Sequence, residues 1–280
     1  MTTGIFFNNI LKTSPGPVIG PKFVNFPELL HDVLKLPNVR LYENEPVSEE
    51  LLFKFHTREI IESLKKRSYA KNSLHSVGGC IEATRMIMSN EIKNCLLFNS
   101  ASGHHAGPTY AWGGTYLNCV APSIYIVRNT LGCQRFALLD TDCHHGDGDR
   151  EMFKDDDSLL HVCFCDSDYV GETKRCIGVG WSSTNEEYLN PVKDVFIPTV
   201  KQFKPEMIFH FLGHDTCQGD YGDIGLTEDF FIDLVKNVMA CAEEICQGRY
   251  LIITGGGSRR DVAEYIFPKI AEILASPSRI

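Results

Sequence analysis

The chain alternates short, wholly apolar runs with longer segments of helical periodicity, and most of the short runs stop at a polar or glycine-rich cluster. An apolar run that does not alternate must be covered on both faces. Helices between successive runs supply that cover and return the chain to start the next strand in parallel. The strand segments are Gly4 to Phe7, Asn94 to Phe98, Phe136 to Asp142, Leu160 to Asp166, Met207 to Leu212 and Tyr250 to Thr254. The helical segments are Pro27 to Leu36, Ser48 to Lys66, Leu74 to Ser89, Asn118 to Asn129, Glu186 to Phe203, Glu228 to Gln247 and Arg260 to Ala275, with Thr227 as N-cap of the sixth. The expectation is an α/β fold with a mainly parallel sheet. No repeat, low-complexity tract or Pro/Ser linker interrupts the alternation after Ala70, so residues 1–280 read as one domain.

In open sheets of this kind ligands lie beyond the carboxyl ends of the strands. The clusters Ser100 to His105, Asp140 to Asp149, Asp166 to Asp168, His214 to Asp223 and Thr254 to Arg260 are therefore expected to converge. Composition narrows what they can do. With 27 basic and 36 acidic side chains the net charge is −9, which leaves no cationic face for direct nucleic-acid binding. No apolar run is long enough to span a bilayer and no leader pattern opens the chain. Eleven scattered cysteines without a C-x-x-C read mostly as buried thiols of a reducing, intracellular and most simply cytoplasmic compartment.

Asp140-x-Asp142-x-His144 leaves a strand with a two-residue period that puts the three side chains on one face, with His145 pointing away. A carboxylate and an imidazole there are good metal ligands, and Asp215, beyond a neighbouring strand, completes an O, N, O set with a position open to water or substrate. Helix capping or arginine pairing remains the alternative for these acids. His104 and His105 sit in a glycine-flanked loop, and Asp140 and Asp147 are spare acids able to fix their tautomers; adjacent surface histidines are the bland alternative. Thr254-Gly255-Gly256-Gly257-Ser258 lacks the residues of a nucleotide loop and reads as a tight turn under a ligand.

The ordered motifs SGHHAGP, LLDTDCHHGDGD, FLGHDTCQGD and LIITGGG, with His56-Thr57-Arg58-Glu59 and Gly78-Gly79, resemble the zinc-dependent histone deacetylase and acetylpolyamine amidohydrolase superfamily over nearly the whole chain. The resemblance implies the three-layer α/β/α arginase/deacetylase fold and one Zn²⁺ held by Asp142, His144 and Asp215. It pairs His104 with Asp140 and His105 with Asp147, and adds a K⁺ near Asp140, Asp142 and His144. It implies a hydrolase that removes the acyl group of an acyl-lysine or acyl-polyamine, with His105 taking a proton from water. The oligomeric state stays open.

Several positions depart from the family pattern. Ser258 stands where the family has an oxyanion-donating tyrosine, and its hydroxyl is shorter in reach than a phenol. Tyr221, Arg259 and Arg260 are candidate replacements. Gly114 and, by a less certain alignment, Ser167 replace the aromatic walls of the acyl-lysine tunnel, and Gly222 replaces a larger side chain. The segment between His56 and Gly78 is short and lacks the family's acidic clamp. Gly114, Tyr221, Gly256 and Gly257 are the expected substrate contacts, Trp112 and Trp181 could rebuild an apolar wall, and Cys143 and Cys217 adjoin ligand segments. These departures point to a bulkier acyl group or a non-peptide amine. A weakened homologue that binds acylated ligands or partners is the alternative. A binuclear manganese ureohydrolase fits less well, because Cys217 stands where a further acid would be needed.

Overall fold

A computed structural model describes residues 2–14 and 16–276. Among these, nine strands form one sheet: β1 (Thr3–Phe6), β2 (Val39–Tyr42), β3 (Asn94–Leu97), β4 (Phe136–Asp140), β5 (Leu159–Cys165), β6 (Tyr169–Val170), β7 (Lys174–Gly178), β8 (Met207–Leu212) and β9 (Tyr250–Thr254). Their order is β2-β1-β3-β9-β8-β4-β5-β7-β6, and only the β6/β7 pair is antiparallel.

The central strands are buried on both faces, which is why their sequences are apolar without alternation. Successive residues still separate. Ala137, Ile208 and Ile252 face the helices Glu228–Cys246 and Arg260–Ala275, while Leu138, Phe209 and Ile253 face Ala70–Met88 and Val120–Leu131. The result is the three-layer α/β/α architecture. β3, β9, β8 and β4 are parallel neighbours, so the polar segments that follow them emerge at one edge of the sheet. Among the described residues no helix is long and apolar enough to cross a membrane.

Three strands had no sequence signal. β2 and β6 are mostly exposed, and β7 carries Lys174 and Arg175, so none presents an apolar run. The expected helix Ser48 to Lys66 is two pieces, Glu49–Leu52 and Arg58–Lys65, with Ser48 capping the first. Glu186 to Phe203 is interrupted by the π turn Val192–Phe196 directly after Pro191. Pro27 to Leu36 shrinks to Glu28–Leu30 and His31–Leu34. Thr227 holds the N-cap position in extended backbone, but its hydroxyl accepts from Asn185 instead of capping the helix.

Two buried groups give tests of this packing. Gly78 lies mid-helix in Ala70–Met88, where glycine ordinarily costs about 1 kcal/mol against alanine. It is there because a Cβ would run into the carbonyl oxygen of Glu45. Gly78→Ala is therefore expected to lower the thermal midpoint despite its gain in helix propensity, and a raised midpoint would contradict this packing. His210 on β8 bonds Thr141 Oγ1 (2.9 Å) and the Tyr250 hydroxyl (2.5 Å), and burial pushes its pKa down to about 3. The unfolded chain binds this proton below about pH 6.5 while the folded chain does not until about pH 3. Stability should thus fall on acidification through that window, by up to about 1.4 kcal/mol per pH unit from this one group. Denaturant titrations at pH 7 and pH 5 should show a smaller loss for His210→Gln than for the native chain. An equal loss would exclude His210 as the source.

Candidate active site

β4 ends at Asp140, so Asp142 and His144 project from a loop and not from a strand with a two-residue period. Carboxylates bend that loop: Asp140 Oδ1 accepts the Asp142 N–H (3.1 Å), and Asp142 Oδ1 accepts the His144 N–H (3.2 Å). Asp215 follows β8, and its Oδ1 accepts the Cys143 N–H (3.2 Å). His144 Nδ1 stands 3.3 Å from Asp142 Oδ1 and 3.8 Å from Asp215 Oδ2. Asp142, His144 and Asp215 therefore converge, with the Cys143 thiol among them, 3.0 Å from Asp215 Oδ2.

The loop after β3 brings in both histidines. His104 Nδ1 is 2.8 Å from Asp140 Oδ2, and His105 Nδ1 is 2.7 Å from Asp147 Oδ1. Trp112 lies tilted over the His105 ring at 3.7 Å between centroids and donates Nε1–H to Asp147 Oδ2 (2.9 Å). After β9 the glycine turn approaches the same centre: the Gly256 N–H donates to Asp142 Oδ2 (2.8 Å) and the Gly257 N–H to the Tyr221 hydroxyl (2.8 Å). A side chain at 256 would strike Asp142, Asp215 and Tyr221, and Gly257 has φ +95° against the His214 ring.

Ser258 is turned away from this centre. Asp220 takes its Oγ–H (2.8 Å) and its N–H along with that of Arg259, so the serine anchors the turn and does not line the cavity. Arg259 is engaged by Asp261 and the Gln218 carbonyl, and Arg260 by Glu264. Tyr221 instead lines the cavity, its ring 6.1 Å from that of His144. Cys217 is packed in the apolar core, where burial pushes its thiol up to about 11. Ser167 is exposed beside Cys165, and Asp168 caps the Gly178 N–H, so neither joins the centre.

The cavity has a volume of about 260 Å³. It is lined by His104, His105, Asp142, His144 and Tyr221, by the small residues Ser100, Ala101, Ser102, Gly113, Gly114 and Gly255, and by the larger Val18, Ile19, Trp112 and Phe211. Gly114, at φ +82°, packs against Pro17 and Val18 and leaves no room for a side chain. A second space of about 430 Å³ meets the first at Trp112, His144 and Tyr221, and carries Asp147, Asp166, Asp223 and Trp181.

Burial works against charge on His104, but the adjacent Asp140 and Asp142 overcome it and raise its pKa to about 10. His105 goes the other way, to about 4, through burial and the positive charge on His104, with Asp147 opposing. Burial and the nearby Asp142 push the Asp215 carboxyl up; burial opposes charge on Asp142 too, but His104 and His144 hold it down. Two enclosed carboxylates this close do not both ionise without a cation. An O, O, N donor set under that constraint fits a divalent ion such as Zn²⁺.

Lys22 was missed in the sequence. Its ammonium is fully buried and donates to the Gly255 (2.8 Å) and Gly256 (3.0 Å) carbonyls, and desolvation lowers its pKa to about 7. Nothing in the Gly/Pro-rich segment around Lys22 signals that contact. Asp220 was visible as one acid of a polar cluster but carried no cue to its anchoring role.

A model of the histone deacetylase domain matches residues 24–274. A probable deacetylase of Archaeoglobus fulgidus is 29% identical over 201 residues, which span 66% of this chain and 55% of that protein. Histone deacetylase 9 of Homo sapiens is 28% identical over 217 residues, 66% of this chain and 21% of that one. The chain thus spans about half of the first relative and a fifth of the second. The crystal structure of the HDA15 HD domain superposes with a TM-score of 0.84 over 100% of this chain and 92% of that one, at 19% identity. The family match takes in the loops after β3, β4, β8 and β9, which converge on the cavity, and this chain belongs to the histone deacetylase domain family.

Proposed function

We propose that this chain is a single catalytic domain, a metal-dependent amidohydrolase of the cytoplasm that removes an acyl group from an amine. The observation that carries the reading is the convergence of two His–Asp pairs, one buried and one partly open to solvent, and an O, O, N donor set on one cavity. Asp142, His144 and Asp215 would hold the ion, and the K⁺ near Asp140, Asp142 and His144 belongs to the same proposal. A bound Zn²⁺ supplies Lewis-acid polarisation of the acyl carbonyl and acidifies water.

The protein's own groups do the rest. His105 is kept neutral and gives its Nδ1–H to Asp147, which leaves Nε2 to accept the proton of the attacking water. His104, kept protonated by Asp140 and Asp142, supplies an imidazolium beside the developing oxyanion. The Tyr221 hydroxyl already accepts from Gly257, so its own proton is free, and burial with the charges of Asp215 and Asp142 keeps the phenol protonated. It is the donor we assign to the oxyanion in place of Ser258. Tyr221→Phe is expected to reduce kcat by about 10²- to 10³-fold with the bound metal retained, while Ser258→Ala stays within the same order of magnitude. Equal losses in the two variants would return the role to the serine.

The inner cavity of about 260 Å³, with Ser100, Ala101, Ser102 and Gly255 in its lining although Val18 fills the space beside Gly114, supports an acyl group longer than acetyl. The outer space, with Asp147, Asp166 and Asp223 between Trp112 and Trp181, suits a cationic amine such as a polyamine or a lysine side chain. In a panel of acyl-lysine peptides, acyl-polyamines and esters, the longer acyl groups and polyamines should turn over faster than acetyl-lysine peptide. Asp215→Ala should abolish turnover and lose the ion. Turnover confined to acetyl-lysine peptide would refute the substrate assignment, and an unaffected Asp215→Ala would refute the site. The turned-away Ser258 favours a second reading, a weakened homologue that binds acylated ligands; it predicts saturable binding without turnover across the whole panel.

A further inference from the structure

We infer that this chain holds a second metal ion, a thiophilic divalent cation such as Zn²⁺, between His145, Cys163, Cys165 and Cys176, beside the 140–147 loop. The inference does not depend on the proposed activity. Cys163 and Cys165 are two apart on β5 and so share a face of the sheet, and Cys176 is the direct register partner of Cys163 on β7. The three sulfurs form a small buried cluster of their own, separate from the two apolar cores. From the loop, His145 turns its Nδ1 onto them, 3.6 Å from Cys165 Sγ and 3.5 Å from Cys176 Sγ, and the donor atoms of His145, Cys163 and Cys165 lie within 4.8 Å of one another.

The two nitrogen–sulfur spacings match a tetrahedral ion, while Cys176 lies outside the 4.8 Å group of the other three donors and would have to close on the ion. Zinc bonds of about 2.3 Å to sulfur and about 2.0 Å to nitrogen, at the tetrahedral angle, hold the two donor atoms about 3.5 Å apart. The surroundings also suit bound thiolates. The Gly146 N–H points at Cys163 Sγ (3.5 Å), and the Arg150 guanidinium donates to Cys176 Sγ (3.2 Å). Three thiolates and one dication carry a net charge of −1, which Arg150 offsets, and Asp140, 3.9 Å from Cys163 Sγ, has its own charge paired with His104. Cys165 and His145 also line the outer space, which gives an ion a way in. An S₃N set with a neighbouring O₂N set is selective by softness, because thiolates favour Zn²⁺ and related ions over hard oxygen-seeking ones.

The test is metal content together with Co²⁺ substitution of the full chain. The native protein is expected to bind two equivalents of Zn²⁺, and the Co²⁺ form to show thiolate-to-metal charge-transfer absorption. Cys143→Ser removes the one thiol beside the other donor set and should leave that absorption intact. Asp215→Ala should lose one equivalent and keep the absorption. Cys165→Ser with Cys176→Ser should lose one equivalent and the absorption together. If this double variant does not fold, the native, Cys143→Ser and Asp215→Ala spectra still decide the matter. A native Co²⁺ form without thiolate-to-metal absorption, absorption that disappears in Cys143→Ser, or a Cys165–Cys176 disulfide found by mass analysis of the native chain would each overturn the inference. Loss of the ion at Asp215 alone would leave this second site standing, so the two assignments fail separately.

Discussion

Asp142 and Asp215 are the constraint around which the rest is arranged. Both are enclosed, one after β4 and one after β8, and an unpaired buried carboxylate carries a penalty of several kcal/mol. The fold answers with backbone donors: the Gly256 N–H serves Asp142 and the Cys143 N–H serves Asp215. To bring Gly256 that close, the turn after β9 must have no side chain there, and the Lys22 ammonium must satisfy the carbonyls of the same turn. The glycine at 256 is therefore a consequence of two acids that need a backbone donor and a cation between them. The turn is not a phosphate cradle.

The same logic separates the two histidines. With ring centroids 3.9 Å apart, His104 and His105 cannot both be charged at neutral pH. His104 lies against the deeply buried Asp140 and near Asp142, whereas His105 pairs with Asp147, which is partly open to solvent, and lies under Trp112. The proton settles on the first ring and leaves the second free to accept one. Two residues adjacent in sequence are thus divided into an electrostatic group and a base by the depth of their carboxylate partners.

Most of this was legible because it rests on local pattern. The central strands are continuous apolar runs, and the residues that converge are those immediately beyond their ends. The edge strands were illegible because solvent, not the core, dictates their residues, as Val39–Tyr42 and Tyr169–Val170 show. Ser258 was misplaced for a different reason: reading down from the glycine turn gives its position, but only the tertiary contact with Asp220 gives its direction. Tyr221 reverses that lesson, since it comes from another loop and reaches the centre through a hydrogen bond that spans 36 positions in sequence. Lys22 had no signal at all, because a buried amine in a Gly/Pro-rich segment is explained only by the carbonyls it meets.

The sulfur cluster shows where sequence grammar can mislead. A search for C-x-x-C finds nothing, yet C-x-C on a strand is a stronger geometric statement, because a period of two fixes both thiols on one face before any tertiary contact is known. The third thiol then needs only the neighbouring strand in register, and β7 supplies it at Cys176. The loop between β4 and the helix Asp147–Met152 completes the division: His144 turns to the carboxylates and His145, one residue on, to the sulfurs. A backbone that sends consecutive imidazoles to different partners fixes both sets of donors at once, so a shift of that loop would disturb the oxygen-rich and sulfur-rich centres together.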